Sequence, residues 1–289
     1  MTASSSGALP GPRRFLRLPN FRDSLWLLTP IAALYGVFAL VPFALIVRFA
    51  FADGGTHFVT VLESRLLAKV ATNTVVISVM TTGVALVLGY ILAAGLWRAG
   101  PKMRPVILAF VMLPFWTAVL IKNFAWAALL QDNGLVNTML MGLGLTDKPV
   151  TLLHNRLAVI IGMVHYVLPY AVFPIYSAMQ AIDSKVERAA RSLGAGTPSV
   201  FWFVILPLTL PGLYSAALLV FVVSVGFFIT PVILGSPADM MIANLVNYYV
   251  RELVDFNVGA ALALMILGTV VPLIILQQRM DKGGRHGAH

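Results

Sequence analysis

From Ser192 to Ala238 the chain runs for 47 residues without a charged side chain. A helix needs about 20 apolar residues to cross a hydrocarbon core of about 30 Å, so this run holds more than one element. Pro207, Pro211 and Gly212 punctuate it, and a proline supplies no amide to a helix interior. The second half, 208–233, therefore reads as a membrane span, and 197–206 as a short helix along the membrane surface. Charge-poor windows at 25–47, 71–97, 105–130 (interrupted by Lys122), 157–181 and 257–277 supply five more spans.

Composition points the same way, with 59% apolar and 11% charged residues and a mean hydropathy of +0.90, where soluble domains carry about a quarter charged. The expected fold class is an all-α polytopic membrane protein with six transmembrane helices. Strand-like alternation is missing, which argues against a β-barrel. The window at 25–47 is too long for a signal peptide and lacks a small-residue cleavage pattern, so it reads as an uncleaved first span. Basic tails, 1–24 and 278–289, flank the set.

Charge placement gives an orientation. With the N-terminus inside, 13 Lys and Arg lie on the cytoplasmic side and 7 outside, and after subtraction of the acids the whole net charge of +9 faces the cytoplasm. Both termini are then cytoplasmic, in the inner (plasma) membrane. Anionic lipid accounts for the basic balance, so no nucleic-acid partner is called for. The chain has no cysteine, which removes disulfides and thiolate metal sites. It contains no GxxxxGK[ST] loop to cradle a nucleotide. No catalytic residue, metal or cofactor is expected, and the chain does not read as an enzyme.

Between spans four and five lies "VERAARSLGAGTPSVFWFVILPLTLPG" (186–212). Ser184 with Glu187 makes a capping-box pattern that starts a helix, and Glu187 with Arg191 makes an i,i+4 pair. Gly194 or Gly196 suits the left-handed residue that closes it. Thr197 then caps a second helix with Pro198 at its first position, and Leu206 with Pro207 ends that helix. A helical hairpin is also what any connecting loop would make, and the residue pattern decides between the two. "RAARSLGAGTPSVFWFVILP" resembles the EAA loop of type I binding-protein-dependent ABC importer permeases. Ala189, Ala190, Gly194, Val204, Leu206 and Pro207 fall at its positions. Arg188 stands where the family has Glu, with Glu187 one place earlier.

The resemblance implies that the loop, Glu187 to Pro207 with Ala195 in its turn, docks on a cytoplasmic ABC ATPase dimer that binds the ATP. It also implies a second homologous permease subunit, an extracytoplasmic solute-binding protein, and a permease core over 69–277 with 25–47 as an added span. "LPFWTAVLIKNFAWAALLQDNGLVN" (113–137) and "GFFITPVILG" (226–235) are similar to the spermidine/putrescine branch. Phe227 replaces that branch's acid. A polyamine or other small organic cation is therefore the first substrate class, with opines, phosphonates and similar anions or zwitterions as alternatives. A stand-alone secondary carrier competes, but no internal repeat or intramembrane acid supports it.

Candidate residues along a path are polar or aromatic. Lys122 lies near the outer end of span three and reads first as a headgroup anchor, then as a substrate contact. Asn73, Asn123 and Thr230 suit helix–helix bonding or substrate. Trp116, Trp126, Tyr170 and Phe227 offer faces to a cation. His165 reads as a hydrogen-bonded core histidine. Pro114, Pro169, Pro174 and Pro231 are expected to kink their spans. Over 234–256, Asn244, Tyr248 and Arg251 share a helical face suited to an external protein or to the bilayer surface.

Overall fold

The structure is a computed structural model that describes the backbone of residues 21–285 and the side chains of 29–275; most of the basic tails lies outside the described residues. Every regular element among them is helical. The apolar run at the start forms helix α1 (Phe21–Ala50), which continues through Pro30 and Pro42. Short α2 (Thr56–Glu63) follows, then α3 (Arg65–Arg98), α4 (Met103–Trp116), α5 (Val119–Leu130), α6 (Leu135–Gly142) and α7 (Arg156–Gln180). The loop between α7 and α10 contains α8 (Ser184–Ser192) and α9 (Thr197–Val200), which leads into α10 (Leu206–Val225). Short α11 (Ile229–Leu234) and α12 (Ile242–Asn247) precede α13 (Phe256–Arg285). Among the described residues five stretches are long and apolar enough to cross a membrane, and the bent pair of Met103–Trp116 with Val119–Gly142, taken as one span, makes a sixth.

Helix α7 is the centre of the packing. Contacts Asn73 to Arg156, Thr81 to Met163 and Gly89 to Ala171 advance together along both chains, so α3 and α7 run parallel. A Cβ on Gly89 would lie 2.7 Å from the Ala171 Cβ, a separation that only the missing side chain permits. Small residues bring backbones close in a bilayer, where association rests on packing and not on water exclusion. On its other flank α7 meets α10 at Gly212, whose added Cβ would lie 2.6 Å from the Pro174 carbonyl oxygen. Buried Ile77, Val164, Val167, Val220 and Phe227 fill the space between the three helices. Helix α7 remains one helix across Pro169 and Pro174.

Two expectations change. Residues 197–225 form one continuous apolar helix, where a surface helix and a separate span starting at 208 were expected. Pro207 lacks an amide, and the turn before it widens into a π-helix over Phe201–Ile205, with the Leu206 amide reaching back to the Phe201 carbonyl. The widened turn absorbs the proline, so the helix is not ended there. At the other end the span stops at Val225, and Gly226 to Phe228 separate it from α11.

The third span is likewise broken. Thr117 and Ala118 are extended, and the helical pieces on either side are bent by 99°. The last turn of α4 leaves carbonyls without amides, and side chains take two of them. Thr117 Oγ1 donates to the Leu113 oxygen at 2.9 Å, and Lys122 Nζ donates to the Pro114 oxygen at 2.6 Å.

Candidate functional site

The loop between α7 and α10 is built from its caps. Asp183 begins α8, accepting from the Lys185 amide at 2.8 Å, so the Ser184–Glu187 capping box does not form. Both Asp183 and Ser184 are able to cap; the acid takes the role and Ser184 becomes the first helical residue. Glu187 is then free for Arg191, whose Nη2 lies 2.8 Å away. Arg188 reaches back to donate to Ser184 Oγ at 2.9 Å. At the other end Gly194 has φ +85°. Its amide donates to the Arg191 carbonyl and the Ala195 amide to the Ala190 carbonyl, which is the Schellman closure. Gly196 caps the next helix in place of Thr197.

No residue of α8 is buried. Leu193, at the helix end, is 89% exposed, and Val186 is exposed beside Ala189 on the same helix. Val204 and Leu206 are half-buried and Pro207 exposed. This is a shaped, partly apolar projection held between the end of α7 and the start of α10.

The membrane-embedded candidates fall into three places. Lys122 is only 7% exposed and does not snorkel. The bend after Thr117 turns its stem inward, and Nζ lies 4.5 Å from the centre of the Tyr166 ring. Tyr166 stacks on Tyr170, with ring centres 6.1 Å apart, and meets Phe227 edge to face at 4.9 Å. Tyr166 also lines a cavity of about 330 Å³ with Val223, Gly226 and Phe227. Lys122 lines another of about 230 Å³ with Pro114, Trp126 and His165. Trp126 Nε1 donates to His165 Nδ1 at 2.9 Å, so that histidine is hydrogen-bonded in the core as expected.

Asn123 and Thr230 lie next to this group, where α5 and α11 both rest on Gly162. Asn123 Nδ2 and Thr230 Oγ1 are buried without a hydrogen-bond partner. Trp116 is apart from the group, 82% exposed and in contact with Phe115. Tyr166, the ring that joins Lys122 to Phe227, escaped the sequence reading. Its signal was the i,i+4 spacing to Tyr170, which puts both tyrosines on one helical face.

Asn73 belongs to an outer clamp. Its Nδ2 donates to the Ala238 carbonyl at 2.6 Å, and its Oδ1 accepts from Arg156 Nη2 at 2.9 Å. Arg156 Nε also reaches Asp239 at 3.3 Å, and Asp239 accepts from Ser236 Oγ at 2.6 Å. Thr74 Oγ1 takes the Ile242 amide at 2.9 Å. The segment after α11 is thereby tied to α3 and α7. Asn244 is buried against the Phe228 carbonyl, so it does not share an exposed face with Tyr248 and Arg251. Arg156→Met should destabilise the purified protein by about 1–3 kcal/mol by stranding the Asp239 carboxylate. The double variant with Asp239→Asn should regain part of it in thermal unfolding. An unchanged midpoint in the single variant would show that the clamp does not hold this end together.

Residues 85–286 match the family described as binding-protein-dependent transport system inner membrane component. The spermidine/putrescine transport system permease protein PotB of Haemophilus influenzae is 33% identical over 255 residues, 85% of this chain and 89% of that protein. PotB of Escherichia coli is 33% identical over 217 residues, 75% and 78% of the two chains. Among solved structures, a chain of a bacterial alginate ABC transporter, in complex with an alginate-bound periplasmic protein, superposes with a TM-score of 0.73. The match covers 90% of this chain and 94% of that one at 19% identity, and shows a shared fold.

Proposed function

Because the chain belongs to the family of binding-protein-dependent transport system inner membrane components, we propose that it is one permease subunit of an ABC importer, carrying a small organic cation of the polyamine kind inward. The single observation that carries this reading is α8, an exposed, doubly capped helix between two membrane spans. Such a projection suits a cleft on an ATPase subunit, whose ATP cycle would push on α7 and α10 together. Two arrangements of a rigid element are what a switch of this kind requires.

The proposed assembly has a cytoplasmic ATPase dimer, a second homologous permease and an extracytoplasmic solute-binding protein. Both termini face the cytoplasm, the core covers 69–277, and this chain itself performs no catalysis. Similarity to the PotB proteins supports the cationic substrate, as do the π faces of Tyr166, Tyr170 and Phe227. Affinity purification of the tagged chain should bring down an ATPase and a second permease, and the reconstituted assembly should take up putrescine only with ATP. Ion-driven uptake by this chain alone would overturn the proposal and indicate a carrier.

A further inference from the structure

An alkylammonium group already occupies the aromatic site of this chain. A charged side chain within a span is costly and is normally paired with an opposite charge. Lys122 is instead held by the Pro114 carbonyl and the Tyr166 ring, with no carboxylate bonded to it among the described residues. Both partners suit any ammonium ion. The carbonyl sits at the C-terminal end of α4, where unbonded oxygens carry partial negative charge. The ring presents its negative face.

We propose that the Pro114 carbonyl and the Tyr166 ring form a binding site for a primary ammonium end of the transported cation, and that Lys122 is a tethered occupant which the cation displaces. The inference rests on the import reading above and specifies how that site is kept closed. Tyr166 is the shared wall, since its ring carries Lys122 and also borders the 330 Å³ cavity beside Phe227. That volume lies within the range of about 300–1,000 Å³ common for small-ligand sites. Lys122 has somewhere to go, because it also borders the separate cavity lined by Trp126 and His165. Two ammonium groups held at one ring repel each other in a low-dielectric setting, so arrival of one expels the other. A site of this kind needs no acid to select a cation. Its own lysine keeps it filled until substrate of the same chemistry competes.

The test is equilibrium binding of radiolabelled putrescine to the complete transporter in nanodiscs without ATP. Lys122→Met keeps the stem and removes the charge, and should tighten binding about tenfold, the scale of a desolvated cation–π contact. Lys122→Gln, which keeps a donor for the Pro114 carbonyl, should tighten it as well if the Met variant fails to assemble. Adding Tyr166→Leu to Lys122→Met should erase the gain. Equal or weaker binding in both neutral variants would overturn the proposal. Absence of ATP-driven uptake in the parent, with tighter binding in Lys122→Met, would count against the import reading alone. Normal uptake with unchanged binding would count against the tethered ammonium alone.

Discussion

Gly194→Val should abolish uptake while leaving the protein inserted and assembled. At φ +85° a β-branched residue is forced into the left-handed region, which costs an ordinary L-residue about 1–2 kcal/mol and a branched one more. The space around Gly194 is open, so the penalty is purely conformational. The cheapest relief is to unwind the Schellman closure, which frees the Ala190 and Arg191 carbonyls and changes the direction in which α8 projects. Uptake in reconstituted vesicles should fall below about a tenth of the parent value if α8 contacts the ATPase. Gly194→Asn separates conformation from side-chain size, because Asn tolerates the left-handed region, and should keep most of the transport. Full uptake with valine at this position would remove α8 from the coupling route.

Gly212→Val should be the most damaging single change to folding among the residues of the helix packing. A Cβ there would meet the Ala178 Cβ at 2.5 Å and the Pro174 carbonyl oxygen at 2.6 Å, and the second obstacle is backbone, which cannot rotate away. Helices α7 and α10 would have to separate along their inner ends, at a cost of about 3 kcal/mol or more. Thermal unfolding of the detergent-solubilised complex should show a clearly lowered midpoint or no recoverable complex, with Gly212→Ala intermediate. Parent-like stability for the valine variant would mean that the two helices do not pack this closely.

How much of this was legible in the sequence depended on the range of the interaction. Apolar windows and their bounding charges are one-dimensional signals, so an all-helical fold with long apolar helices, and a polar helix at 184–192 between two of them, could be read from them. The glycine that closes α8 was equally local, one of two in "GAG", and only Gly194 takes the positive φ. Lys122 was misjudged because its depth was counted along a straight helix. The break at Thr117 and Ala118 bends Val119–Gly142 by 99° from α4, and a side chain near the end of a window becomes one that lies against Tyr166. Pro207 misled for a related reason. A proline breaks a helix unless the preceding turn can widen, and nothing in "FWFVILP" declares that Phe201–Ile205 will do so. The outer clamp was out of reach, since Asn73, Arg156 and Asp239 meet only through the parallel packing of α3 and α7.

That widened turn has a mechanical meaning. Because it repairs the helix at Pro207, the stretch from Thr197 to Val225 is one rod of 29 residues, about 43 Å at the helical rise. One end stands next to α8, and the other stops at Gly226, beside the cavity walled by Tyr166 and Phe227. A hinge at Pro207 would have dissipated any push delivered to the loop. Under the proposed coupling, an unbroken lever would turn the same push into a swing of its far tip, and the accommodation of Pro207 is what lets the two ends move as a unit.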